Sequence, residues 1–568
     1  SVVPGMITAA VDILGGIELF AEGFWNRRES SQDSGAQLFF NIPATNIFNP
    51  FGVITQPVLP RPSDNSQTVD AWQIVGGVRG QTGGGLAGFL KDGQWELSAQ
   101  SGKSDGDYDF VSILGDRIAA TLATTRAANG SLSCPSPTIS GGACVPINFF
   151  DPRVVNGDYT AEEYAYLFGA PNLGNTVYEQ TVVDGNISGD LFRLPAGDVA
   201  ANFGFQWRNY SINDVPGAET LRGNVILTTA SGVTKGEDTV REVFGEIEIP
   251  ILAKQPFAEE LTVNIAGRWT EYDSYPANST YKIAAQWAVT PAIRFRGSYG
   301  TNYKAPALFE LFLGGQTAFL AQGSIDPCIN WGTSGNQTIR TRCQAAGVPP
   351  EYTGAGTSSA TIIQAGGLGV LRDETATSLT YGVVYRPEWA DLQIALDYSK
   401  VENDDQVARF GGAAIVGACY GDNDAARAAQ FCTLFTRNPS NAAQRPNEIT
   451  TVRDSYVNIA KQNQSELSLN IDYRREFSFG TFAIASETVW QLKNEFGLFN
   501  ATQLSQLVSD IGFPNVVTDT DFSFTRKDWR FTWTVNGVGK MSEEEDFLAA
   551  NGANPLVPLP GSFFAFTG

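Results

Sequence analysis

A two-residue rhythm of apolar and polar side chains runs through most of this chain and constrains its fold more than any other feature. In LTVNIAGRW, Leu261, Val263, Ile265 and Trp269 fall on one side of an extended backbone, and Thr262, Asn264 and Arg268 on the other. YKIAAQWAVT sets Tyr281, Ile283, Trp287 and Val289 against Lys282, Gln286 and Thr290. LTYGVVYR and LSLNIDYR do the same with Leu379, Tyr381, Val383 and Tyr385, and with Leu467, Leu469, Ile471 and Tyr473. Helical spacing fits none of these segments. About sixteen strands are predicted, near 2–11, 17–28, 71–81, 94–104, 177–193, 198–210, 238–249, 260–272, 280–289, 293–302, 376–386, 392–402, 457–475, 481–492, 515–525 and 529–540.

The connections between these strands alternate in length. Tight turns are expected at 91–94, 194–198, 290–292, 387–391, 477–480 and 526–528. Long loops fall between them, near 105–176, 303–375 and 403–456. Short turns at one rim and long loops at the other are the pattern of an antiparallel barrel that spans an outer membrane. A soluble sandwich or propeller also alternates, but most of its connections are short, and no fixed-period repeat is present here. Trp and Tyr also recur on the apolar faces near strand ends, where a bilayer places an amphipathic girdle.

Composition agrees with a membrane barrel. Charged residues make up 17% of the 568, against roughly 25% in soluble domains. Mean hydropathy is only -0.13, and no run of 18 apolar residues provides a transmembrane helix. A barrel answers the puzzle of RFRGS at 294–298. Arg294 and Arg296 face the lumen, and Ile293, Phe295 and Tyr299 face lipid, because the reverse costs ~2–4 kcal/mol per arginine near the midplane. The formal charge of -22 argues against nucleic acid, which needs a basic footprint.

Six cysteines fall as three local pairs, Cys134 with Cys144, Cys328 with Cys343, and Cys419 with Cys432, all on the long-loop side. They read as loop staples made in an oxidising compartment. The rival, a metal site, is weak because the chain has no histidine and two thiols do not close a tetrahedral site. No catalytic motif is present: there is no nucleophile elbow, no metal triad and no phosphate-cradling loop. The chain is therefore expected to be no enzyme and to need no cofactor.

Three segments together carry a family resemblance. YKIAAQWAVTPAIRFRGSYGTNYKAPALFELF (281–312) resembles the signature hairpin of TonB-dependent outer-membrane receptors: a tight turn, an Arg-x-Arg-x-Ser strand, then an aromatic-basic-Ala-Pro element and Glu-Leu-Phe. VREVFGEIEIPILAKQPFAEELTVNIAGRWTEY (240–272) and GVLRDETATSLTYGVVYRPEWADLQIALDYSKVEND (369–404) resemble the hairpins on either side, and DPCIN (326–330) is like loop segments of proteobacterial members. The resemblance implies a 22-stranded barrel around an N-terminal plug in a Gram-negative outer membrane, surrounded by lipid and lipopolysaccharide. It implies active import of a small ligand, powered by a TonB–ExbB–ExbD complex. A ferric siderophore or similar chelate is the expected cargo, with an oligosaccharide, or a passive porin, as alternatives. No plug is visible before the first strand-like residues, and Phe566 stands third from the end, so some first strands and about two last ones are expected to be missing. Haem receptors use histidines near the Ala-Pro element, and here there are none.

Tyr303, Lys304, Ala305 and Pro306 match the family element and either shape an outer vestibule or simply end a strand, since Pro306 cannot donate to a ladder. Arg208, Arg268, Lys282, Arg294, Arg296 and Arg386 are lumen candidates for carboxylates of a plug or for an anionic ligand. Tyr352, Tyr420, Phe431 and Phe435 either stack on a ligand or pack the stapled loops. The acidic run at 542–546 is a candidate Ca²⁺ ligand set or a solvated stretch.

Overall fold

The computed structural model describes residues 2–14, 16–82, 90–170, 172–226, 230–354, 358–442, 445–497 and 504–542. Among these residues, sixteen long strands form one antiparallel meander, each paired with its neighbours in sequence. They are β1 (Val2–Leu14), β2 (Ile17–Gln32), β3 (Asn65–Gln81), β4 (Lys91–Phe110), β5 (Gly174–Leu194), β6 (Gly197–Val215), β7 (Thr234–Gln255) and β8 (Ala258–Tyr272), followed by β9 (Asn278–Thr290), β10 (Ile293–Lys304), β11 (Glu374–Tyr385), β12 (Asp391–Ala408), β13 (Val457–Phe477), β14 (Gly480–Gly497), β15 (Val516–Arg526) and β16 (Trp529–Val538). The stub Ser505–Gln506 adds a short pairing to β14.

Every predicted strand is present, and most run longer at the loop side. The sequence marks 94–104, whereas β4 spans 91–110. The added loop-side residues, DGDYDF at 105–110, set Asp105, Asp107 and Asp109 on one face and Gly106, Tyr108 and Phe110 on the other, and their Asp-Gly-Asp start reads in sequence as a turn. The expected turn at 91–94 is a correction: these residues open β4, and the connection lies at 82–90. Asp92 takes a left-handed φ of 46°, and the register with β5 shifts between Ser188 and Asp190, so a bulge imitates turn chemistry.

Cross-strand register fixes the two faces. Ile247, Ile265, Ile283 and Tyr299 lie directly opposite one another across β7–β10 and point outward. Their neighbours Glu248, Asn264 and Arg296 fall on the other face, which closes around a cavity of about 400 Å³ lined by Asp190, Asn202, Glu246, Glu248 and Asn264. Trp207, Trp269 and Trp287 remain 37–41% exposed on the outer face. Aromatic pairs mark both ends of the apolar band: Trp25 opposite Trp72 and Tyr381 against Tyr398 toward the long loops, Trp287 against Phe295 and Phe477 against Phe479 toward the short turns. From Leu261 to Trp269 the band runs ~27 Å along a strand, or ~20 Å vertically at a ~40° tilt, close to the apolar belt of an outer-membrane barrel.

The long connections carry the dry cores. One core gathers Leu38, Ile42, Leu59, Ile113, Ile147 and Phe149 from residues 33–64 and 111–173, with the Cys134–Cys144 disulfide beside it. The other core joins residues 305–373 to 409–456 through Ile325, Trp331, Ile362, Ile415, Val416 and Ile449. Its frame is a four-stranded sheet of Gln316–Ala321, Ser359–Ala365, Ile449–Ser455 and Phe435–Arg437. The Cys328–Cys343 and Cys419–Cys432 disulfides hold its helices. No described helix is long and apolar enough to cross a membrane.

Candidate functional site

The mouth of the barrel is built where β10 ends. Lys304 Nζ lies 2.9 Å from Glu374 Oε1 on β11 and 3.9 Å from Glu310 Oε1. Glu374 Oε1 also accepts from the Val407 N–H at 3.0 Å, so one carboxylate joins β10, β11 and β12. Pro306 then breaks the ladder, and Glu310 accepts from the Ala307 N–H at 2.7 Å to start the short helix Leu308–Phe312. Tyr303 donates to Glu242 at 3.0 Å and contacts Thr270 Oγ1 at 2.8 Å, beside the stacked Tyr272 and Tyr275 rings. The Tyr-Lys-Ala-Pro element therefore roots the loop cap on the wall.

Three arginines of the inner wall are paired with wall carboxylates, and two bond glutamines. Arg294 reaches Glu260 at 3.0 Å and Gln286 at 2.9 Å, Arg268 reaches Glu242 at 2.9 Å, and Arg296 grips Asp397 through both carboxylate oxygens. Arg208 bonds Gln206 and lies over the Tyr210 ring, and Arg386 bonds Gln393. Lys282 has no ion pair among the described residues. The Arg296–Asp397 pair spans a whole strand. Arg296 is opposite Gly382 on β11, and Gly382 is opposite Asp397 on β12, so the pair passes over a residue with no side chain. A Cβ on Gly382 would overlap the Asp397 carboxylate. Gly382→Val is thus expected to destabilise the barrel by at least as much as Asp397→Asn, on the order of 1 kcal/mol for so exposed a pair. Adding Asp397→Ala should relieve it. Urea unfolding of the three variants checks this, and a Gly382→Val barrel as stable as wild type would refute the bridging role.

The cap holds a buried ion pair. Arg437 Nη1 and Nη2 donate to Asp326 Oδ2 and Oδ1 at 2.7 and 2.6 Å, Nη1 also to the Asn447 carbonyl at 2.6 Å, and Nε to the Tyr420 hydroxyl at 2.9 Å. The Asp326 side chain is fully buried. Burial on its own would lower the Arg437 pKa, but the Asp326 pair outweighs it and the net shift is upward. Burial raises the Tyr420 phenol and pushes Tyr352 to about 12, with the Asp326 charge adding to the latter.

Among the residues selected from sequence, Tyr303, Lys304, Arg294 and Arg296 lie on the wall and rim, whereas Tyr352 and Tyr420 belong to the cap. Tyr420 is 4% exposed and Phe431 6%, and Tyr352 and Phe435 pack against the same core. For Tyr420 and Phe431 this corrects the stacking role, since a buried ring has no face for a ligand, whereas Tyr352 and Phe435 are only partly covered by that core. The acidic run at 542–546 lies, beyond Ser542, outside the described residues. Asp326, Glu374 and Gly382 went unselected. Asp326 had one sequence cue, its place two residues before a loop cysteine.

Residues 26–540 match the family model described as TonB dependent receptor-like, beta-barrel. Among solved structures, the siderophore receptor PirA from Acinetobacter baumannii aligns over 96% of this chain and 67% of its own, at 10% identity and TM-score 0.46. A ferric enterobactin receptor mutant from Pseudomonas aeruginosa aligns over 94% and 65%, at 10% identity and TM-score 0.47. The alcaligin outer-membrane receptor FauA from Bordetella pertussis aligns over 95% and 66%, at 10% identity and TM-score 0.39. The chain thus spans about two thirds of their length. No curated protein matches it in sequence.

Proposed function

This chain belongs to the TonB dependent receptor-like β-barrel family, and on that premise we propose that it imports a scarce nutrient, a ferric siderophore or similar metal chelate, across a Gram-negative outer membrane by energy-coupled transport. The observation that carries this reading is the cap: long connections at one rim fold into disulfide-stapled cores, and a passive pore needs no such structure. Arg268, Arg294 and Arg296 are already paired with wall carboxylates, which leaves them little charge to offer an anionic chelate. Selection of the ligand falls to the cap and the mouth around Lys304. The energy comes from the TonB–ExbB–ExbD complex of the inner membrane, and the chain itself makes and breaks no covalent bond.

Uptake of radiolabelled ferric chelates by cells carrying the full-length protein tests this. Accumulation is expected to depend on the protein and to stop when the proton gradient is collapsed. Uptake of labelled oligosaccharide alone, also gradient-dependent, would move the cargo to sugars. Entry of small sugars that persists without a gradient would mean a porin.

A further inference from the structure

The inner face of β7 is open toward the short turns and sealed toward the long loops. Glu246 and Glu248 are exposed, but farther up the same alternation Glu242 is only 5% exposed, and Val240, Asp238 and Thr234 are 1% exposed. The cover is the segment 303–314, which lies along that face. Tyr303 donates to Glu242 at 3.0 Å, and Ala305 packs on Val240 with Tyr272 and Tyr275. Farther on, the Phe312 ring sits on Gly236, and the Gly314 N–H donates to Thr234 Oγ1 at 2.9 Å. Only glycine fits at 236, since a Cβ there would enter the Phe312 ring. The element that roots the cap is therefore also a second layer inside the mouth.

Asp238 lies under this layer without a counter-charge. Its Oδ1 accepts from the Thr239 and Ser274 N–H groups at 2.9 and 3.2 Å, whereas its Oδ2 is buried and has no hydrogen-bond partner among the described residues. The groups that face it are phenols: Tyr210 on β6, Tyr272 and Tyr275 on β8 and its turn, and Tyr303 on the covering segment. The cations nearby are engaged elsewhere. Arg208 lies over the Tyr210 ring, Arg268 is held by Glu242, Arg241 by Asp273 and Lys304 by Glu374, while Glu310 caps its own helix. A buried carboxylate with one oxygen unpaired is stable when neutral and costly when ionised. Glu237 and Thr239 on the outer face place this part of β7 beyond the apolar band, and burial holds the Asp238 carboxyl above the usual carboxylate range.

We propose that the segment 303–314 is a proton-controlled gate in the mouth, docked on β7 while Asp238 is neutral and lifted when Asp238 ionises. The sign follows from linkage. Lifting lets water reach the carboxyl and returns it to an ordinary pKa near ~4, whereas docking raises it. Docking is therefore strongest below that pH and weakens as pH rises through the docked-state value, by about tenfold per pH unit between the two. The gate acts on the mouth whichever nutrient passes.

All six native cysteines are in disulfides, so one introduced thiol reports on the gate. Leu308→Cys, at a buried position of the segment, is labelled with a maleimide in the full-length protein in lipid vesicles. Dividing its rate by that of the exposed Val370→Cys removes the pH dependence of the thiol itself. The ratio is expected to rise about tenfold per pH unit above pH ~4 and then level off. Adding Asp238→Asn should hold it at the acid value at every pH. Adding Gly236→Ala, whose methyl meets the Phe312 ring, should keep it high at every pH. Heat-modifiable gel mobility would confirm that each variant is folded. A wild-type ratio that does not change with pH overturns the proposal. So does a slope that survives Asp238→Asn, which would assign the proton to another group such as Glu242.

Discussion

Asp326→Ala is expected to unlock the loop cap while leaving the barrel folded. The substitution removes both acceptors of the Arg437 fork and strands a guanidinium whose side chain is only 8% exposed. Breaking a buried pair from one side costs about 3–5 kcal/mol, because the remaining charge stays desolvated. The cap is also where that cost is concentrated, since Arg437 ties the strand Phe435–Arg437 to residue 326, more than a hundred positions earlier, and to the Asn447 carbonyl. Trypsin applied to intact cells should then cut at Arg340, Arg342 or Arg437 far faster than in wild type. The heat-modifiable barrel should persist, because the wall strands share none of these contacts. Replacing the pair together, Asp326→Leu with Arg437→Met, should restore most of the protection, as apolar substitutes for buried pairs often do. Unchanged proteolysis of Asp326→Ala would show that the disulfides and apolar core hold the cap unaided.

The wall of this protein was legible in its sequence because a bilayer punishes any departure from alternation. Leu261, Val263, Ile265 and Trp269 had to share a face, and so their segment could only be a strand with lipid on one side. The cap was not legible for the opposite reason. Ile325, Ile362, Ile415 and Ile449 come from elements of different type and period, and only the folded loops bring them together. Tyr352 and Tyr420 illustrate the cost: aromatic residues in polar loops suggest a ligand platform, yet these two close a core. Gly382 was invisible as a functional residue because its contribution is an absence, a gap over which Arg296 meets Asp397. The loop-side extension of β4 was missed because Asp105, Gly106 and Asp107 are turn-type residues, although the alternation continues through Tyr108 and Phe110.

A pair of arginine substitutions on adjacent residues of β8 tests the whole arrangement. Ile265 sits midway along the apolar band, opposite Ile247 and Ile283, with its side chain outward. Arginine there must be carried into hydrocarbon, and Ile265→Arg is expected to cost ~2–4 kcal/mol near the midplane. Asn264 is one position away and faces the cavity with Glu246 and Glu248; its amide nitrogen already donates to Glu246 Oε1 at 2.7 Å. An arginine at 264 meets water and carboxylates, so Asn264→Arg should be close to neutral. Reversible urea unfolding in lipid vesicles measures both, and the yield of heat-modifiable protein in the outer membrane reports the same order in cells. An arrangement with Asn264 turned into a dry interior and Ile265 toward water would invert that order, because the arginine at 264 would then be the desolvated one. Equal costs at 264 and 265, or a larger cost at 264, would show that the outward isoleucines do not meet lipid, and the import reading would lose its geometric base.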